Sequence, residues 1–453
     1  MSGRMDWRRL LSTRRLGRGA VPLAEHRAPR TEFARDYDRI VFSSAFRRLQ
    51  DKTQVFPLAK SDYVRTRLTH SLEVASVGRS LGMLVAERVL ALEPGLEGVV
   101  VPQDVGTLLA AACLAHDIGN PPFGHAGEDA IRAWIARWDG LEALDAWEQA
   151  DLLAFEGNAQ GFRTLSVLQN PGEPGGMQMT CALLATQAKY PRAAQVAPQR
   201  RTGASGRKFG FFRSEASLFA EVADTVGLLS KPGPDGPGGC AWFRHPLAFL
   251  VEAADDICYH VIDVEDGFKT GVVRFDELEA LHRPFLESRH LDRAARFPDD
   301  SRRAGYFRAV TIDRVIRQVV DVFTRRYEAI MTARHDRPLL EEIEQAGDFA
   351  AFTALARRQI YDARPVVEVN VCGFEVIAGL LEAFLEAVED RAAHGDALGA
   401  RSRTLLHLLP RPHPDPAMLE PYARAQLVTD FVAGMTDSYA VELYQRIRGI
   451  SLP

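Results

Sequence analysis

Cysteine is scarce and scattered in this 453-residue sequence: Cys113, Cys181, Cys240, Cys258 and Cys372 are odd in number and never spaced as C-x-x-C. That pattern argues against a disulfide framework and a thiolate zinc site, and it fits a reducing cytosol. Long apolar runs are missing as well. None approaches the ~18 residues that span a bilayer, and the basic N-terminus lacks the apolar core of a secretion signal. The expectation is a cytoplasmic protein with no membrane partner. Positive charge is not in excess: 55 Lys and Arg against 60 Asp and Glu leave a net charge of -5. A surface that coats nucleic acid is therefore not expected, although a local basic patch is allowed. Strand-like alternation, internal repeats and heptads are all scarce.

What is present reads as helix. Hydrophobic content of 46% and charged content of 25% are those of a soluble globular chain. Leu68, Leu72, Ala75, Leu81, Leu84, Val85 and Val89 recur at helical spacing, and Leu108 to Ile118 reads as a buried helix that stops at Gly119 before Pro121-Pro122. Another helix is expected from near Gly124 through Trp138. Further helical patterns cover 214–229, 246–267, 311–333 and 373–393. Val366 to Val371 is the best candidate for a strand, within a small hairpin. The fold class is all-α, a helical bundle with minor β-hairpin elements. Three regions are expected: a basic N-terminal arm (1–30), extended or with a short helix at Trp7 to Leu11, solvated or ordered by a neighbouring subunit or polyanion; a core (31–280) with inserted loops at 191–208 and 231–239; and a C-terminal helical region (281–453) packing on that core and contributing to the ligand site or an oligomer interface.

Two short runs carry the chemistry. His70 lies one turn into its helix in Arg67-Leu68-Thr69-His70-Ser71, and His116-Asp117 ends a wholly apolar helix. Buried polar pairs of this kind cost several kcal/mol unless satisfied, and a divalent cation satisfies them if another helix adds an acid. Asp255, in Ala-Ala-Asp-Asp-Ile-Cys-Tyr, is that candidate. Asp255, Tyr259 and Asp263 recur at i, i+4 and i+8. They are read as metal ligand, sugar-packing ring and partner of a ribose or deoxyribose hydroxyl, with Asp256 facing elsewhere. Two His and two carboxylates suit Mn²⁺, Mg²⁺, Fe²⁺ or Zn²⁺, and ligand identity alone does not choose among them; Mg²⁺ or Mn²⁺ is the first expectation, with Fe²⁺, Zn²⁺ or Co²⁺ as alternatives. His125 and Glu128, at i and i+3, form a proton-transfer pair, acting as acid or base. Arg67 and Lys189 are the first candidates to meet a polyphosphate, followed by Lys208 and Arg364. Gln54 offers donor and acceptor to a base or sugar edge.

With these runs stand Arg35-Asp36-Tyr37-Asp38-Arg39, Lys52-Thr53-Gln54-Val55, Phe155-Glu156-Gly157-Asn158-Ala159-Gln160 and Met435-Thr436-Asp437-Ser438-Tyr439. From Thr31 almost to its end the chain resembles the HD-domain deoxynucleoside triphosphate triphosphohydrolases, the bacterial dGTPase-like proteins. The resemblance implies an HD-domain helical bundle, with the metal on His70, His116, Asp117 and Asp255 and catalysis by His125 with Glu128. It places Gln54, Arg67, Lys189, Tyr259 and Asp263 around the nucleotide. It also implies a dNTP substrate (dGTP first), release of intact triphosphate, a homo-oligomer (often a hexamer), and sometimes an allosteric nucleotide or single-stranded DNA site. Two alternatives stand beside it: a nucleoside monophosphatase or phosphodiesterase on the same scaffold, and a non-catalytic nucleotide or single-stranded DNA sensor.

Overall fold

The computed structural model describes residues 3–18, 30–55, 65–232, 240–411 and 413–450. Helices dominate these residues, and strand pairing is confined to isolated bridges. The apolar helix Pro102–Ala115 lies at the centre, with Leu108 to Ala115 buried without interruption. Each large aliphatic side chain so buried contributes roughly 1.5–3 kcal/mol relative to exposure. Helix Arg67–Leu92 packs along its length, and helices Glu32–Phe42, Cys181–Gln187 and Ala248–Lys269 close around it. Helix Ala248–Lys269 in turn packs on the 32-residue helix Asp300–Met331.

The apolar side chains fall into two clusters. One runs from Met5 through the central helices to Val366. The second is built on helix Arg364–His394, whose Ile377, Leu380 and Phe384 are inaccessible to solvent. Against it pack Ile131 and Ile135 of helix His125–Ile135, and Val428 and Val432 of helix Pro421–Ala433. Helix His125–Ile135 thus belongs to the second cluster, while the helices carrying His70, His116 and Asp255 belong to the first. The expected boundary at residue 280 does not coincide with this division, because Phe323, Phe349 and Phe352 all join the first cluster.

Several expectations need correction. The N-terminal segment through residue 18 is no solvated arm. Met5, Trp7, Leu10 and Leu16 are core residues, the Trp7 indole donates to the Tyr327 hydroxyl at 2.7 Å, and Arg15 is buried against Glu32 and Asp36. Residues 19–29 lie outside the described residues. Val366 to Val371 is helix, the opening turns of Arg364–His394; Ala363 is its N-cap and Pro365 falls in the first turn, where proline is tolerated. Alternation of Val with polar residues misled because the buried positions instead follow one helical face, at i, i+7, i+10 and i+11: Val366, Gly373, Val376, Ile377. The segment 191–208 is an ordered loop with two short turns, at Pro198–Arg200 and Ala204–Gly206. Most of the loop at 231–239 lies outside the described residues. No helix among the described residues is long and apolar enough to cross a membrane.

Candidate metal centre and active site

Three helices converge where their polar residues would otherwise be stranded in apolar surroundings. His70, the fourth residue of its helix, is 1% exposed. His116 caps helix Pro102–Ala115, and its Nδ1–H donates to the Cys113 carbonyl at 2.6 Å. That bond sets the tautomer and leaves Nε2 with its lone pair free. Nε2 is buried and has no hydrogen-bond partner. It faces Asp117 Oδ1 at 3.5 Å and Asp255 Oδ1 at 3.4 Å, while His70 Nε2 stands 3.2 Å from the same Asp255 oxygen. Ligand atoms of His70, His116 and Asp117 all lie within 4.8 Å of one another. An orphaned imidazole nitrogen pointing at converging carboxylate oxygens is the donor set a divalent cation needs. This buried group is able to hold one.

Arg67, buried one turn before His70, donates to Asp117 Oδ2 at 2.8 Å. Burial alone would raise the Asp117 carboxyl, but Arg67, His116 and His70 hold it far below its ordinary value. Asp255 is likewise depressed: burial opposes, and the Lys189 ammonium, paired with Asp255 Oδ2, prevails together with His116. Asp256 does not face elsewhere as expected. It lines the same cavity, where burial, Glu252 and Asp255 push it up to about 8.

The metal group opens into a cavity of about 500 Å³. His125 stands on its wall with its side chain 75% exposed, and its Nδ1 meets Glu128 Oε2 at 2.9 Å. Glu128 is buried, and its other oxygen accepts the Gly157 N–H at 2.7 Å. Burial raises its carboxyl, yet the His125 bond, Lys208 and Gly157 together bring it down to about 2. The pair is a fixed carboxylate holding a solvent-facing imidazole of the cavity wall by one nitrogen. The turn leading to it runs through Phe123 and Gly124, both at positive φ (61° and 58°). A Cβ on Gly124 would strike the Arg67 guanidinium, so glycine there serves both the backbone and the ion pair.

Of the expected substrate residues, Gln54, Arg67, Lys189, Lys208 and Tyr259 line the cavity. Gln54 Oε1 is buried and unpartnered. Lys208 reaches Glu156 Oε1 at 3.2 Å. Arg364 does not join them: its side chain is 89% exposed and pairs with Glu368 one turn on. Asp263 is buried beneath the site instead of lining it, and accepts the Tyr361 hydroxyl at 2.8 Å. Eight residues make about 2.2 turns, a drift of some 80° from Asp255, and Tyr361 fills the intervening space. Its ring stacks on Tyr259 with centroids 5.8 Å apart. Tyr361 and Asn370 line the cavity from the second half of the chain and were not foreseen; neither lies in a run with a recognisable chemical spacing. Asn120, Glu156 and Asn158 also line it, and these do fall in runs that stood out in the sequence.

This architecture is matched by two family models: the HD domain over residues 67–151 and the phosphohydrolase-associated domain over residues 342–446. The first contains His70, His116, Asp117, His125 and Glu128, so the class is that of the HD-type phosphohydrolases. A deoxyguanosinetriphosphate triphosphohydrolase-like protein of Synechocystis sp. is 43% identical, over 99% of this chain and 100% of its own length. A protein of the same description from Pseudomonas aeruginosa is 40% identical with the same coverage. A deoxyguanosinetriphosphate triphosphohydrolase of Klebsiella pneumoniae is 29% identical over 99% of both chains. The chain belongs to the deoxyguanosinetriphosphate triphosphohydrolase-like family of HD-domain proteins.

Proposed function

We propose that the protein hydrolyses a 2′-deoxynucleoside 5′-triphosphate to the deoxynucleoside and inorganic triphosphate by attack of water on the α-phosphorus. The observation that carries this is one cavity holding the buried His70–His116–Asp117 group, the adjoining Asp255, the His125–Glu128 pair and two lysines. Bound by His70, His116, Asp117 and Asp255, a divalent ion would supply Lewis acidity and a more acidic water. Lys189, Lys208 and Arg67 offset the charge of the triphosphate chain, which favours in-line positioning at the α-phosphorus. The reaction displaces two protons, one lost by water and one gained by the departing 5′-oxygen. His125, steadied by Glu128, moves one of them. Tyr259, stacked on Tyr361, gives the sugar a flat apolar wall that favours the deoxy form, and Gln54 offers its free carbonyl to a base or sugar edge.

Because the relatives' names specify dGTP, it is the first of the four dNTPs to assay, with Mg²⁺ and Mn²⁺. Reaction in ¹⁸O-labelled water should place one labelled oxygen in triphosphate and none in the deoxynucleoside. Diphosphate or orthophosphate as the first product would refute release of intact triphosphate, and label in the deoxynucleoside would refute attack at the α-phosphorus. We further propose a homo-oligomer. Val367, Val371 and Phe374 form an exposed apolar stripe on one face of helix Arg364–His394, at 44%, 61% and 41% exposure, which a second copy would cover.

A further inference from the structure

Lys52 is 3% exposed, and its ammonium touches no carboxylate. It donates instead to two backbone carbonyls: Asn120 at 2.5 Å, three residues beyond Asp117, and Ala433 at 2.9 Å, the last residue of helix Pro421–Ala433. Beside it lies a buried anion with the complementary arrangement. Asp437, the first residue of helix Asp437–Ile447, accepts the Phe123 N–H through one oxygen and the Thr53 N–H through the other, each at 2.9 Å. The turn from Asn120 to Gly124 is thus gripped at its first carbonyl by a cation and at its Phe123 amide by an anion. Both grips reach across from the chain's C-terminal helices or the Lys52–Thr53 segment.

The turn needs such a grip. Phe123 sits at φ 61°, a conformation a bulky residue adopts only when its surroundings enforce it. Released, it would relax and carry His125 with it. Burying an ammonium is also costly without a paired carboxylate. Burial draws Lys52 down to about 7 against the pull of Asp437, with Arg48 and Arg67 adding to the depression. A methionine of similar length would fill the same space without that cost, so what the lysine adds is its hydrogen bonds to the Asn120 and Ala433 carbonyls.

We propose that Lys52, acting with Asp437, is a positioning residue that fixes the Asn120–Gly124 turn and so sets where His125 stands over the cavity, coupling the phosphohydrolase-associated segment to the reaction. The catalytic part rests on the function proposed above; the structural part does not. Neither residue touches the cavity's metal group, and Ala433 and Asp437 both lie within the matched phosphohydrolase-associated segment.

The test is Lys52→Met, read in two independent ways on the full-length protein. Without substrate, hydrogen–deuterium exchange of peptides covering 119–127 should speed up by about tenfold or more, while those of helix Pro102–Ala115 stay unchanged. With substrate, kcat should fall about 100-fold, the scale of a small misplacement of a reacting group, with KM within about threefold. Asp437→Asn, which keeps the shape and loses one acceptor, should loosen the same peptides. The double variant should lose no more kcat than the worse single one, because both act through one turn. Unchanged exchange at 119–127, or a raised KM with kcat intact, would overturn the proposal. If Lys52→Met does not fold, Asp437→Asn carries both readouts. If the wild type hydrolyses no dNTP yet the exchange still loosens, the grip stands and the functional reading fails.

Discussion

His116 shows how much one side chain can be committed by its surroundings. Its Nδ1 is used by the Cys113 carbonyl, and its buried Nε2 has no hydrogen-bond partner and faces the oxygens of Asp117 and Asp255. His116→Ala is expected to abolish tight Mn²⁺ binding in calorimetric titration, while His125→Ala should bind Mn²⁺ as wild type does and lose about 10²–10⁴-fold in kcat. Equal loss of metal by both variants would contradict the division of roles. Asp151 makes a second residue-scale case. It is buried, accepts the Tyr422 hydroxyl and the Arg213 N–H through one oxygen, and leaves its other oxygen unpartnered. Burial pushes it up to about 7 from 3.8. The native state therefore holds a proton that the unfolded chain has lost, and this residue's contribution to stability falls as pH rises between those values. Asp151→Asn should gain on wild type by roughly 1–3 kcal/mol between pH 4 and pH 8 in denaturant unfolding. A flat difference across that range would show that Asp151 takes up no proton there.

Among the elements, the short segment after helix Pro102–Ala115 is the most constrained. A Cβ on Gly119 would lie 2.0 Å from Gly161 N and 2.1 Å from Gly157 O. Helix Gly157–Arg163 is therefore seated directly on the turn beyond His116-Asp117, and through the Gly157 N–H it holds Glu128 as well. Gly119→Ala should force the two backbones apart, costing about 2 kcal/mol or more in thermal or denaturant unfolding and lowering activity with it. A variant of wild-type stability would mean that the helix can move aside freely. Elements with long, one-sided apolar patterns were readable in advance, and helices expected at 214–229 and 246–267 appear as Ala216–Val226 and Ala248–Lys269. The run at 366–371 was not readable, because six residues of Val alternating with polar groups satisfy a strand pattern, and only the burial of the following turns reveals the helix.

On the scale of the whole molecule, the cavity sits at the seam of two apolar clusters: the metal group rides on one, His125 on the other. An ion bound there would tie only the first, so chelation should lower the melting temperature and Mn²⁺ should restore it, with a stabilisation of about 2.7 kcal/mol at a hundredfold excess over Kd. A melting temperature indifferent to chelator and Mn²⁺ would count against a resident ion. For the oligomer, Val371→Glu should shift the protein to smaller species in light scattering, and an unchanged mass would leave the stripe without that role. By itself the sequence determined the helical class and the His70, His116-Asp117 and His125–Glu128 pairs, since those depend on spacing along single helices or a single turn. It also marked Asp255 by placing carboxylates in an apolar run. Only the tertiary structure decided that Arg364 points to solvent, that Asp263 is screened by Tyr361, and that Asn370, Lys52 and Asp437 reach the site's surroundings. Those outcomes depend on which distant surfaces meet, and local periodicity carries no record of contacts made across hundreds of residues.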